Sequence, residues 1–127
     1  MSGLLLDTHV VLWLLDDSPR LGALARGRII ASAAVFVSAA STWELAMKAA
    51  IGKVTLPDDF DDAINRSGLR DLPVARRHSL ASDLLALPHK DPFDAVLVAQ
   101  ATVERLTLVT ADAKLLKAVP DAVDARR

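Results

Sequence analysis

The chain has 127 residues and a formal charge of −1, from 15 Lys and Arg against 16 Asp and Glu. That length suits one domain with its own core. Apolar residues at 52% argue against disorder, and the absence of cysteine excludes a disulfide framework, a thiolate nucleophile and a cysteine zinc site. The near-neutral balance speaks against a protein that coats a polyanion. The longest charge-free stretch, residues 29–43, is interrupted by Ser32, Ser38 and Ser41 and is too short for the ~20 apolar residues of a spanning helix. Asp7 cuts the first apolar run and no positive leader precedes it, so no signal peptide is expected and the cytoplasm is the expected compartment.

In chain order, Leu4-Leu5-Leu6 reads as a short strand ending at Asp7, and Thr8 to Leu15 as a helix. Ser18-Pro19 has the pattern of an N-cap with proline at the first helical position, which predicts a helix to about Ile30. Val35-Phe36-Val37 is a β-branched and aromatic strand; Ser38 then caps a helix that stops at Gly52. Pro57-Asp58-Asp59 opens a further helix with acids at its positive end. Leu72-Pro73-Val74 predicts an edge strand, because proline cannot donate to a ladder, and a helix follows from Arg76 to Leu87. Asp91-Pro92-Phe93-Asp94 opens a helix to about Arg105, and Leu106 to Thr110 is a buried strand. Asp112 starts a short helix, and Val119 to Val123 reads as a last edge strand. This alternation predicts a single α/β domain over 1–127: a small sheet of four or five mainly parallel strands between two layers of helices.

Four acids are placed suggestively on that frame. Asp7 ends the first strand, and Glu44 lies in the second turn of the helix after the second. Asp94 sits in the first turn of the helix that leads to the 106–110 strand, and Asp112 follows that strand by two residues. In a parallel sheet, strand C-termini and crossover-helix N-termini share one edge, so all four face one rim. Carboxylates gathered there must protonate or recruit a cation. An all-oxygen donor set favours Mg²⁺ or Mn²⁺, ions that suit phosphodiester chemistry. Each acid also has a structural reading. Asp7 and Asp112 can cap helices, Glu44 stands four before Lys48 as in an ordinary surface pair, and Asp94 can answer the helix dipole behind an Asp91 cap.

The segments that carry these acids resemble those of PIN-domain ribonucleases, specifically VapC-type toxins of bacterial toxin–antitoxin pairs. They are Leu-Leu-Leu-Asp7-Thr-His-Val-Val-Leu-Trp13, then Val-Ser38-Ala-Ala-Ser41-Thr-Trp43-Glu44-Leu. His89-Lys-Asp91-Pro-Phe-Asp94 with Leu-Val-Ala-Gln-Ala101 follows, and Leu-Val-Thr110-Ala-Asp112 closes the set in family order. The resemblance implies a PIN-like fold, Mg²⁺- or Mn²⁺-dependent endonucleolytic cleavage of RNA by activated water, and a metal-binding quartet of Asp7, Glu44, Asp94 and Asp112. It also implies a homodimer and a VapB-like antitoxin whose C-terminal segment blocks the site. Ala95 stands where the family typically carries arginine.

Residues 66–90 hold Arg66, Arg70, Arg76, Arg77 and Lys90 against Asp71 and Asp83. Arg76, Arg77, His78 and Lys90 are therefore candidates for phosphate contacts, with solvated helix-face charge as the alternative, and Lys48 and Lys53 stand behind them. Ser41 and Thr110 are candidates to orient a carboxylate or water, His9 is placed beside the site, and His89 is placed to order the loop before Asp91. Trp13, Trp43 and Phe93 fall in apolar helical patterns, which suits core or dimer anchors. Two competing functions remain open at this point: a metal-dependent phosphatase, which would want a second acid two positions after Asp7 where His9 stands, and a non-catalytic interaction module.

Overall fold

Three consecutive leucines form β1 (Leu4–Leu6), all buried, because the strand runs through the middle of the sheet and meets a helical layer on each side. The computed structural model describes residues 3–87 and 90–127. After β1 come α1 (Thr8–Leu15), α2 (Ala23–Ala31), β2 (Val35–Ser38), α3 (Ala39–Ala50) and α4 (Phe60–Ser67). The second half contains β3 (Arg70–Leu72), α5 (Arg76–Ala81), α6 (Pro92–Glu104), β4 (Thr107–Thr110), α7 (Ala113–Ala118) and β5 (Val123–Asp124). The five strands are parallel in the order β3-β2-β1-β4-β5. The α/β architecture expected from the sequence is the one observed.

Alternation along the strands divides the core in two. Leu4, Leu6, Val35, Val37 and Val109 face a layer that includes Val10 and Val11 of α1, Ile29 of α2 and Ile64 of α4. Leu5, Leu72 and Leu108 face the opposite way, onto Leu97 and Ala101 of α6 and Leu115 of α7. Fully burying a leucine stabilises by roughly 1.5–3 kcal/mol, so these layers dominate the favourable side of folding and hold the strand ends in fixed positions.

Local signals set several boundaries as expected. Ser38 Oγ accepts the Ala40 N–H at 3.0 Å to start α3, and Asp91 Oδ1 accepts the Phe93 N–H at 2.8 Å to start α6 behind Pro92. Four boundaries differ. Helix α2 begins at Ala23, not after Pro19, because Ser18 closes a turn on α1 through its N–H to the Trp13 carbonyl at 2.9 Å. Strand β3 lies at Arg70–Leu72, ahead of Pro73, which has no N–H to donate. Helix α5 stops at Ala81 and a separate 3₁₀ turn, Leu84–Ala86, takes its cap from Asp83. Strand β5 is shifted to Val123–Asp124, where it pairs with Val109 and Thr110.

Candidate active site

From β1 the chain moves outward to β2 and β3, then crosses back to β4 on the other side. The strand order therefore reverses between β1 and β4, and beyond the carboxyl ends of such strands an open α/β sheet offers a crevice. A cleft of about 400 Å³ lies there, lined by Asp7, Glu44, Asp94 and Asp112 together with Lys48 and Arg126. The four acids expected on one rim thus share one cleft, although β1 and α7 are more than a hundred residues apart. A larger hollow, about 580 Å³ and bordered by Leu14, Ile29, Val35 and Leu69, offers no comparable chemistry. Its charged residue, Arg66, is paired with Asp59 at 3.0 Å.

Both carboxylate oxygens of Asp7 are held. Its Oδ1 accepts the Thr8 N–H at 2.7 Å, which caps α1, and its Oδ2 accepts the Thr110 hydroxyl at 2.7 Å across the β1–β4 boundary. Thr110 Oγ1 also accepts the Asp112 N–H at 3.1 Å, so a single hydroxyl couples both acids. Burial nonetheless pushes the Asp7 carboxyl above its ordinary value. The Thr110 and Thr8 hydrogen bonds and nearby His9 oppose that rise, while the Glu44 charge adds to it. The capping and site readings of Asp7 are therefore compatible: one oxygen caps, and the other is held by the neighbouring strand.

Glu44 departs from the surface-pair reading because it is buried. Its Oε1 accepts the Thr8 hydroxyl at 2.7 Å, and its Oε2 is paired with the Lys48 ammonium at 2.9 Å. Thr8 Oγ1 also lies 3.1 Å from Ser41 Oγ. The sequence reading included Ser41 and Thr110 but passed over Thr8, whose position directly after a capping acid was the available signal. The hydrogen bond to Glu44 raises the Lys48 pKa against the opposing effect of desolvation, and the charges of Glu44, Asp91 and Asp94 raise it further. Lys48 thus places a positive charge among the acids of α3 and α6.

Asp94 is buried at the third position of α6, behind the Asp91 cap. Asp112 caps α7 by accepting the Lys114 N–H at 2.8 Å. Among the described residues, no three His, Asp or Glu side chains are gathered closely enough to hold a metal ion as they stand. The donor set is nevertheless all oxygen, and its buried carboxylates call for a compensating cation, a chemistry that suits Mg²⁺ or Mn²⁺.

The basic candidates fare differently. None of Arg76, Arg77 and Lys90 lines the cleft. Arg77 is paired with Glu104 at 2.9 Å, at the far end of α6 from Asp94, and His78 is fully buried against the same glutamate. Arg77 and His78 thus share Glu104 as a common partner, away from the acids. Among the described residues, the Lys and Arg side chains that line the cleft are Lys48 and Arg126. No local motif marked Arg126 in the sequence. His9 is exposed at the cleft, and the expectation for His89 lies outside the described residues. Trp13 lines the cleft, whereas Trp43 is 63% exposed and makes an edge contact with Phe93 at 5.4 Å, so Trp43 is not a core residue. Ala95 is buried against the α6–α7 side of the sheet, so an arginine at that position would have to displace packed apolar groups.

Several solved structures share this fold. Similar solved structures include a toxin–antitoxin complex from Klebsiella pneumoniae, with 18% identity and a TM-score of 0.65 over 97% of this chain and 98% of that one. VapBC2 from Rickettsia felis, bound to a DNA fragment from its promoter, gives 16% identity and a TM-score of 0.64 over 94% of each chain. FitAcB from Neisseria gonorrhoeae gives 18% and 0.61 over 95% of this chain and 96% of that one. Likeness at such identities establishes the fold. No curated protein is significantly similar in sequence. The family model for the PIN domain matches residues 4–121, a span that includes all four acids, and the chain belongs to the PIN domain family.

Proposed function

We propose that this protein is a divalent-metal-dependent endoribonuclease, the toxin of a VapBC-like toxin–antitoxin pair, acting on RNA in the cytoplasm as a single-domain homodimer. PIN domains are generally nucleases. The observation that carries the reading is the meeting of Asp7, Glu44, Asp94 and Asp112 in one cleft at the β1–β4 switch point. The similarity to structures described as toxin–antitoxin complexes supports a VapB-like antitoxin as the partner. Its C-terminal segment would block the acid cleft.

Asp7, Glu44, Asp94 and Asp112 would hold the Mg²⁺ or Mn²⁺. When bound, the ion supplies positive charge for the phosphodiester and lowers the pKa of water at the site. The protein's own groups prepare that chemistry. Thr110 and the Thr8 N–H fix both oxygens of Asp7, and the Thr8 hydroxyl orients Glu44. Lys48 offsets the Glu44 charge and so keeps a buried acid tolerable in the metal-free protein.

Cleavage of single-stranded RNA with Mg²⁺ or Mn²⁺ tests the reading. Activity should disappear with chelator and fall at least ~10²-fold in Asp7→Asn or Asp94→Asn. Robust cutting by the double variant in chelator would overturn the metal-site mechanism. Hydrolysis of phosphomonoesters without RNA cleavage would point to a phosphatase.

A further inference from the structure

The acid cleft has a charge problem of its own. Among the described residues, five carboxylates line it, those of Asp7, Glu44, Asp91, Asp94 and Asp112, against the cations Lys48 and Arg126. Beyond the charge that a bound ion would supply to the scissile phosphodiester, an RNA phosphate beside it needs a protein cation that is not already committed. Lys48 is committed to Glu44 at 2.9 Å. The Arg126 side chain is exposed and makes no hydrogen bond or ion pair with a described residue.

Arg126 is also held in place by its backbone. Ala125, fully buried, donates its N–H to the Thr110 carbonyl at 2.9 Å and so extends the pairing of β5 with β4. Its own carbonyl accepts the Gly22 N–H at 2.8 Å, and the Arg127 carbonyl accepts the Leu24 N–H at 2.9 Å. Between them, the Arg126 N–H donates to Asp124 Oδ1 at 2.9 Å. The segment is therefore gripped by a strand on one side and by the start of α2 on the other. Gly22 is the residue that allows this approach, since a Cβ there would sit 2.1 Å from the Arg127 carbonyl carbon. Thr110, which starts the chain of contacts to Arg126, is also the residue that holds Asp7.

Resting on the nuclease reading above, we propose that Arg126 is the substrate-binding cation of the cleft, pairing its guanidinium with an RNA phosphate beside the acids. A planar fork of donors suits two oxygens of one phosphate, a geometry that a lysine ammonium does not reproduce.

The test is equilibrium binding of a short fluorescein-labelled single-stranded RNA, with Mg²⁺ present, to the slow-cleaving Asp94→Asn protein. Binding is compared with and without Arg126→Ala, Arg126→Lys and Arg127→Ala. Arg127 is the control: it carries the same charge one residue on and does not line the cleft. Arg126→Ala should weaken binding about 10-fold and reduce the slope of log K against log salt by about 0.7, the loss of one phosphate contact. Arg126→Lys should retain the slope but recover affinity only in part, and Arg127→Ala should bind as its parent. In the otherwise unaltered enzyme, Arg126→Ala should raise KM about 10-fold with little change in kcat. Equal effects of Arg126→Ala and Arg127→Ala, or none from either, would overturn the assignment. A parent that binds RNA while Arg126→Ala binds equally well would sink this inference alone. An enzyme that neither binds nor cuts RNA would sink the nuclease reading itself.

Discussion

This fold carries two polar clusters, one beyond the strand ends and one between helices, and they treat a carboxylate in opposite ways. At the switch-point cleft, Asp7 is surrounded by other acids and two hydroxyl-bearing neighbours, and burial pushes its carboxyl above the ordinary value. Between α5 and α6, Glu104 Oε2 meets the His78 ring at 2.7 Å and Arg77 at 2.9 Å, and these contacts hold its carboxyl below the ordinary value. His78 Nδ1 accepts the Ala75 N–H at 2.9 Å, which leaves Nε2 as the donor to Glu104. The second cluster is closed, since every named donor has its acceptor. The first gathers several acids around a carboxyl that burial holds above its ordinary value, which is the condition of a site prepared for a ligand rather than for stability.

The largest expected effect separates the two roles at Asp7. Asp7→Asn should reduce RNA cleavage at least ~10²-fold. Its thermal midpoint, measured in chelator, should equal or exceed that of the wild type, because the variant removes a buried charge while keeping an oxygen for the Thr8 N–H. The pH trend follows from the direction of the shift. The folded protein retains the Asp7 proton more strongly than the unfolded chain, so raising the pH above the ordinary value of 3.8 costs stability until the raised folded value is passed. The advantage of Asp7→Asn should therefore grow with pH through that interval. A variant that loses stability at neutral pH would make Asp7 chiefly a structural cap.

His78→Ala should show the reverse pattern. It empties a fully buried site and leaves the Ala75 N–H without its acceptor, for a loss of about 3 kcal/mol in urea unfolding. The kcat of the folded enzyme should be unchanged, because the ring faces α6 at its far end from Asp94. Loss of kcat in protein shown to be folded would join the two clusters into one functional unit.

Gly22→Ala is expected to cost about 1–3 kcal/mol. The new methyl would fall 2.1 Å from the Arg127 carbonyl carbon and would force the segment held between β4 and the start of α2 to move. That shift should weaken the tie between Leu24 and Arg127, seen as faster amide exchange at Leu24, with Asp7 and its Thr110 contact unaffected.

These outcomes also bear on what could be read from the sequence. Ser38, Asp91 and Asp112 were legible as caps because a cap is a local bond, made within two or three residues of chain. The convergence of the four acids was legible because alternating strands and helices fix which ends share an edge. The start of α2 was not, because the N–H groups of Gly22 and Leu24 are satisfied by Ala125 and Arg127, about a hundred residues away. Arg126 was hidden for the same reason, as its place in the cleft is created by that distant pairing. The pairing of Arg77 and His78 with Glu104, on another helix, was hidden in the same way, because along the chain these residues read only as a basic run. Local chemistry is visible along the chain, whereas the partner of a charge is decided by packing.

Glu104→Gln should give the smallest effect and the sharpest sign. Hydrogen bonding to His78, then to Arg77, stabilises the Glu104 carboxylate in the folded state. That contribution is fully present above the ordinary value of 4.5 and is lost as the pH falls through the lowered folded value. The glutamate is partly open to solvent, which screens the pair and keeps the contribution modest. Urea midpoints of wild type and variant, followed from neutral pH into the acid range, should therefore differ by a constant amount above about pH 5 and converge below it. The trend with falling pH matches that of Asp7→Asn in converging, but the order of stability is opposite: wild type lies above the Glu104 variant and at or below the Asp7 variant. Wild type lying above both variants at neutral pH would place Asp7 with Glu104 as a stabilising carboxylate and remove the contrast between a poised cleft and a closed staple.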